Sequence, residues 1–543
     1  MKFNISALFL ISLFNLLVLE LEATSSSKYE DKLWNYQSIQ QQNPPFNFHR
    51  NLLSIGAASN ITRIGRVFFP IGYGADPTGV EDSTKAIMKA VEDAFHVHNN
   101  GLELLPGIND LGGVVIDFQG GNYKISQPIR FPSGGGNVVA TPAAAADQEA
   151  RDTKCELVRE TGWMRWGVVE STRALWFSST GRSIKEDRGA ACFARANLKR
   201  VKGGTLRASH TFPGNRYLIE LWSPSSVPID TDSPHDFSGD SVGIFYEDIT
   251  FRDILFDSSY RGGGIFIIDS VRIRINNCFF LHFSTKGILV QKGHETFISN
   301  CFLGQYSTIG GDKGEKYFTG VGIDIESNDN AITDVAIFSA EVGIILRGQA
   351  NMVTGVHCYN KATGFGGIGI LVKVAWISQT RIDNCYMDYT SIVIEDPVQV
   401  HVTNGFFLGD GNIVLKAVKG HIHGVNIVNN MFNGNPQYHT PIVRVDGSFW
   451  SIEQVVIERN NAVGMDLKST VGTAVIKGNG TMWVADFSPI LLFPDRIRHI
   501  QYSLFIDGLP KFTSHAITNV SNNVVLVETD KIVSGKVFMT VQQ

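Results

Sequence analysis

Asp324 and Glu326 stand two residues apart in TGVGIDIESNDNAITD, residues 319 to 334. Side chains alternate along a strand, so both carboxyls fall on one face, with Cα atoms roughly 7 Å apart. That separation is of the order of the ~6.5–9.5 Å between the two acids of inverting glycosidases, where one protonates the leaving oxygen and the other activates water. Stacking against Leu289 and Ile345 should desolvate Asp324 and suit it to donate the proton, while Glu326, near Arg347, is expected to stay ionised. Asp329, and Asp312 in the long loop GQYSTIGGDKGEKYF, are further candidate acids. Lys292, His294, Arg347, His357 and Lys373 are candidate partners for a ligand's own carboxylates. Two other readings stay open. The acids could only pair with Arg347 and the loop, or Asp312, Asp324 and Asp329 could bind Ca²⁺ in a lyase whose Lys or Arg removes a proton. An acid pair requires neither metal nor cofactor.

What positions these residues is a repeat. GIFI at 264, GILV at 287, GIDI at 322, GIIL at 343, GILV at 369, SIVI at 391 and NIVL at 412 recur every 21 to 35 residues. About 13 residues after most of them comes Asn or Asp, a small residue and an aromatic: NNCFF, SNCFL, DNCYM, TNGFF and NNMF. Two signatures in locked phase identify stacked coils. With 54 glycines, 35 phenylalanines and 18% charged residues, the chain reads as all-β, a right-handed parallel β-helix. The second-position isoleucines, Ile265 to Ile413, should stack inward. Asn277, Asn300, Asn384 and Asn404 should form an amide ladder at a bend. Cys278 with Cys301, and Cys358 with Cys385, occupy equivalent places, and in-register side chains suit stacked thiols better than cystines.

A helix begins near Asp82 or Ser83, carries Ile87, Val91, Ala94 and Phe95 on one side, and caps the open end of the stack. Residues 138–200 lack the coil phase and read as an irregular insertion. The β-helix is assigned to 65–444, after an N-terminal arm, 24–64, and before a small antiparallel β-module, 445–543.

MKFNISALFLISLFNLLVLELEA reads as a signal peptide, residues 1–23, so the mature chain is expected outside the cell and free of the membrane. Sequons at Asn60, Asn479 and Asn519 fit a glycoprotein. A net charge of −5 offers nothing to nucleic acid, and a monomer is expected.

GADPTGVEDSTKAIMKAV, GGVVIDF and GNYKIS, together with the coil phase, resemble the pectate-lyase-like β-helix superfamily. GGTLRAS, GILVQKGHETFISNCFLGQ, NDNAITD, HCYNKATGFGG and VVIERN are similar to the plant QUARTET-type polygalacturonases over nearly the whole mature chain except the insertion. The resemblance implies hydrolysis of homogalacturonan, an acidic polysaccharide, in the plant cell wall. The chain departs from the pattern of typical polygalacturonases. Val321 stands where their Asn-Thr-Asp motif ends in a catalytic Asp, SAEVGII lacks their Asp pair, Gly293-His294-Glu295 comes a coil earlier than their Gly-His-Gly, and no Arg-Ile-Lys follows. A wall polysaccharide-binding solenoid without catalysis is the remaining alternative.

Overall fold

The computed structural model describes residues 61–99, 101–142, 204–226, 243–305, 318–359, 366–374, 377–508 and 512–543. The leader, Asn60, Asp312, Glu315, Cys155 and Cys192 lie outside them.

The long strands of successive coils pair in parallel, Gly263–Ile268 on Lys286–His294, then Val321–Asn328, Val342–Leu346, Ile368–Val372, Ser391–Glu395 and Ile413–Lys416. A short second strand follows in each coil, as at Arg274–Asn276, and joins the same 24-stranded sheet. A third, as at Phe279–Leu281, belongs to an 11-stranded parallel sheet. Together they form a parallel β-helix. Ile265, Ile288, Ile323, Ile344, Ile370, Ile392 and Ile413 are fully buried and stack one on the next. Each such side chain contributes about 1.5–3 kcal/mol by leaving water.

The glycine of the Gly-Ile signature has a steric cause. A Cβ at Gly264, Gly287, Gly322 or Gly343 would lie 2.5–2.7 Å from the carbonyl oxygen of the glycine one coil on. Only a bare Cα lets the coils approach to strand-pairing distance there. Where the signature becomes SIVI the register slips by one residue, between Ile368 and Ile370.

The amide ladder is not where it was expected. Asn277, Asn300, Asn384 and Asn404 all hold φ between 52° and 56°, a left-handed conformation that Asn tolerates, and their side chains are exposed. Their role at the bend is conformational. A buried ladder runs elsewhere: Asn330 Nδ2 donates to Asn351 Oδ1 at 2.9 Å, and Asn430 Nδ2 donates to Asn460 Oδ1 at 3.1 Å. Asn351 also donates to the carbonyls of Ser327 and Gly348, so interior turns are satisfied without water.

The helix spans Thr84–Phe95. Asp82 Oδ1 accepts the Thr84 N–H at 3.0 Å, and Ile87, Val91 and Ala94 join the core of the first coils. Coil pairing extends past both expected limits. Gly135–Thr141 pairs within the sheet, so residues 138–141 belong to a coil and not to the insertion. Ser451–Glu458 and Asn461–Val463 still pair in parallel, beyond residue 444. The antiparallel module proper begins at Val471, with its own core around Trp483, Val527, Val537 and Met539. Asn479 and Asn519 are exposed on it.

Cys278, Cys301, Cys358 and Cys385 are free and buried. Without prior reduction, a thiol reagent should therefore label all four in peptide mass mapping after unfolding and none before it. An Ile344→Ala variant should lose about 2–5 kcal/mol of stability in denaturant unfolding.

Candidate functional site

Ile323 and Ile325 point into the core, so Asp324 and Glu326 face outward, as alternation requires. Asp324 lies between Leu289 and Ile345 of the neighbouring coils, and Glu326 lies beside Gln291. Both acids are nonetheless closed off, at 0% and 2% exposure. Two buried carboxylates demand cations. Lys286 Nζ sits 2.7 Å from Asp324 Oδ2, while Arg347 donates from Nε to Oδ1 at 3.0 Å and from Nη2 to Oδ2 at 3.4 Å. Arg347 Nε is also 3.2 Å from Glu326 Oε1. One guanidinium nitrogen thus holds an oxygen of each acid, which keeps those two oxygens within roughly 6 Å of each other, near the ~5–5.5 Å of retaining and the ~6.5–9.5 Å of inverting carboxyl pairs.

The two acids differ in how their charge is met. Asp324 takes both cations in close, aligned contacts. Glu326 is the acid whose pKa is raised, first by burial and then by the charge of Asp324, with Lys286, Gln291 and Arg347 only partly offsetting them. Its Oε2 accepts from Gln291 Nε2 at 2.7 Å. Its Oε1, although near Arg347, accepts no hydrogen bond. Burial and the charge of Asp324 thus favour the protonated form of Glu326.

The other expected residues divide. Lys373 follows Arg347 on the next coil, exposed on the same face. Lys292 and His294 lie one coil before the acids, where His294 pairs with Val271 and Asn328. Asp329 is an exposed turn residue at φ 58°. His357 does not belong to this face. It stands on the 11-stranded sheet, with its ring centroid 4.5 Å from that of Tyr386 and Nε2 4.0 Å from Asp388. Its position follows from the second signature, VHCYN, and not from the Gly-Ile phase.

Residues that sequence reasoning passed over complete the wall. Lys286 directly precedes a signature glycine and was legible from that position. Three coils before Asp324 in the same outward row, buried Glu220 receives Arg216 Nε at 2.7 Å and Arg130 Nε at 3.2 Å. Arg130 also lies 4.6 Å above the Trp222 ring. Arg130 comes from one coil and Arg216 and Trp222 from the next, neither with the tetrapeptide, so no repeat signal marked them.

The coils, the capping helix and the charged outer wall define a parallel β-helix protein with a carboxyl cluster on its long-strand face. No family model matches the chain. Over 483 residues, 88% of this chain and 84% of the relative, it is 45% identical to the polygalacturonase QRT3 of Arabidopsis thaliana. The chain belongs to the QRT3-type polygalacturonase family. Among solved structures, the endo-xylogalacturonan hydrolase of Aspergillus tubingensis shares 11% identity over 73% of this chain and 95% of its own, at TM-score 0.37. A tailspike protein mutant of E. coli bacteriophage HK620 shares 8% over 86% and 90%, at TM-score 0.43.

Truncating Asp324 would strand two cations against the wall, so Asp324→Ala should cost about 3–5 kcal/mol in urea unfolding. For Glu326 the raised folded-state pKa means the native chain keeps the proton after the unfolded chain, near 4.5, has released it. Wild-type stability measured relative to Glu326→Gln should therefore be greatest below that pH and fall as pH rises through the native value. A difference that stays flat with pH would show that Glu326 titrates alike in both states.

Proposed function

We propose that the chain is a secreted glycoside hydrolase of the plant cell wall that cleaves α-1,4-galacturonan, with Glu326 as the proton donor. The observation that carries this reading is Glu326 itself: in a chain of a polygalacturonase family, burial and the charge of Asp324 push one carboxyl toward its protonated form, with Arg347 Nε 3.2 Å from its Oε1. In the reaction that oxygen gives its proton to the glycosidic oxygen as the bond to C1 breaks, and water supplies the new hydroxyl. Asp324 does not react. It fixes Arg347 and Lys286, and Arg347 in turn fixes Glu326. Lys373, exposed beside them, supplies a positive charge for the carboxylates of a galacturonate chain.

The burial of both acids favours a second reading, in which the cluster is a structural ion network and the solenoid binds polysaccharide without cutting it. Incubation with de-esterified polygalacturonate separates the two. Hydrolysis predicts new reducing ends without ultraviolet absorbance, and Glu326→Gln should lower that rate about 10²–10⁴-fold while the variant still sediments with the polymer. Reducing ends together with absorbance would mean elimination. Polymer binding with no new ends would establish the second reading.

A further inference from the structure

The Glu220 cluster holds more positive charge than its acid needs. Both oxygens of the buried carboxylate are filled: Oε1 accepts Arg216 Nε at 2.7 Å and the Tyr217 N–H at 3.3 Å, while Oε2 accepts Arg130 Nε at 3.2 Å and Arg216 Nη2. Arg216 alone therefore gives Glu220 a two-pronged partner, and Arg130 adds a second cation to one acid. Arg130 spends only Nε on that contact. Among the described residues neither of its Nη groups donates a hydrogen bond, and its side chain is 40% exposed. Its guanidinium lies 4.6 Å over the Trp222 ring, and Trp222 is packed in turn against the cluster of Tyr217, Phe266, Ile268 and Leu289. A guanidinium braced by a ring on its face and a buried carboxylate at Nε has little freedom left to lose on binding. Its two Nη groups form the parallel pair of donors that a carboxylate accepts.

We propose that Arg130, braced by Glu220 and Trp222, is an anchoring site for a free uronate carboxylate of the galacturonan chain. The proposal rests on the reading of galacturonan as the polymer and not on the chemistry of Glu326. Arg130 is the register partner of Glu220, and Phe266, Leu289 and Asp324 follow in the same outward row. Four coil steps, roughly 19 Å, thus separate Arg130 from Asp324, and the two residues next before Asp324 in the row carry no charge. Cations accordingly stand at two stations on this wall, Arg130 at one and Arg347 with Lys373 at the other. A small anion uses one station, whereas a polymer with a carboxylate on every sugar engages both, and its second contact is then intramolecular. The carboxylate at Arg130 must be free, because a methyl ester offers neither the negative charge nor the second anionic oxygen that the fork recognises.

Affinity electrophoresis in gels containing de-esterified polygalacturonate reads the binding, with Glu326→Gln as the parent protein. Adding Arg130→Gln should weaken binding about 10-fold, and Arg130→Lys should weaken it nearly as much, because a point charge lacks the fork. Arg216 still holds Glu220 in both variants, and circular dichroism checks that each is folded. Trp222→Leu keeps both arginines but removes the brace, and its affinity should fall between those of the parent and Arg130→Gln. Retardation by fully methyl-esterified galacturonan should be the same for the parent and all three variants. Parental affinity in Arg130→Gln would overturn the assignment, as would full rescue by Arg130→Lys or an equal loss on the esterified polymer. Reducing ends released by the wild type are scored separately. If Arg130→Gln weakens binding but the wild type releases no ends, the anchor stands and the hydrolase reading fails. If the wild type releases ends and the Arg130 variants bind like the parent, only the present inference fails. A parent that the polymer does not retard at all would end the inference together with the reading of galacturonan as the polymer.

Discussion

Parallel, in-register stacking of coils is the constraint from which the rest follows. Once Ile323 rests on Ile288 and Ile344, the neighbouring residue has no choice of direction, and Asp324 must stand on the outer wall between Leu289 and Ile345. A slip of one residue would drive the carboxylate into the hydrocarbon core. Gly264, Gly287, Gly322 and Gly343 set how closely their coils approach, and bends at Asn277, Asn300, Asn384 and Asn404 return the chain for the next turn. The wall is therefore a lattice with fixed pitch, on which any side chain can be addressed by coil and position.

Charge on that lattice obeys a second rule. An acid shut off from water must find a counter-charge, and on this wall the adjacent coils are where Asp324 finds its own. Lys286 precedes Asp324 by one coil and Arg347 follows it by one, and Glu220 takes Arg130 from the preceding coil together with Arg216 four residues before it on its own. Glu326 differs in degree. It shares Arg347 with an acid that already holds it, and this incomplete neutralisation gives Glu326 the properties of a proton donor.

Much of this was legible in the sequence because period and phase are geometric. The Gly-Ile phase gave the coil order, the inward row and the outward direction of Asp324 and Glu326. It could not show how deeply the outer wall is covered, nor how unequally the cations there are shared between the two acids. His357 was misplaced because it carries the phase of the other signature and so lies on another sheet. Asn277 and its equivalents were read for their amides when their backbone conformation was the point.

The sharing of Arg347 has an evolutionary corollary. A group that balances two acids at once cannot be exchanged alone without stranding one of them, nor can either acid be exchanged without leaving surplus positive charge in a dry place. Lys286, Asp324, Glu326 and Arg347 thus form a single heritable unit, and descendants of this chain that abandon its chemistry would be expected to replace the four in concert.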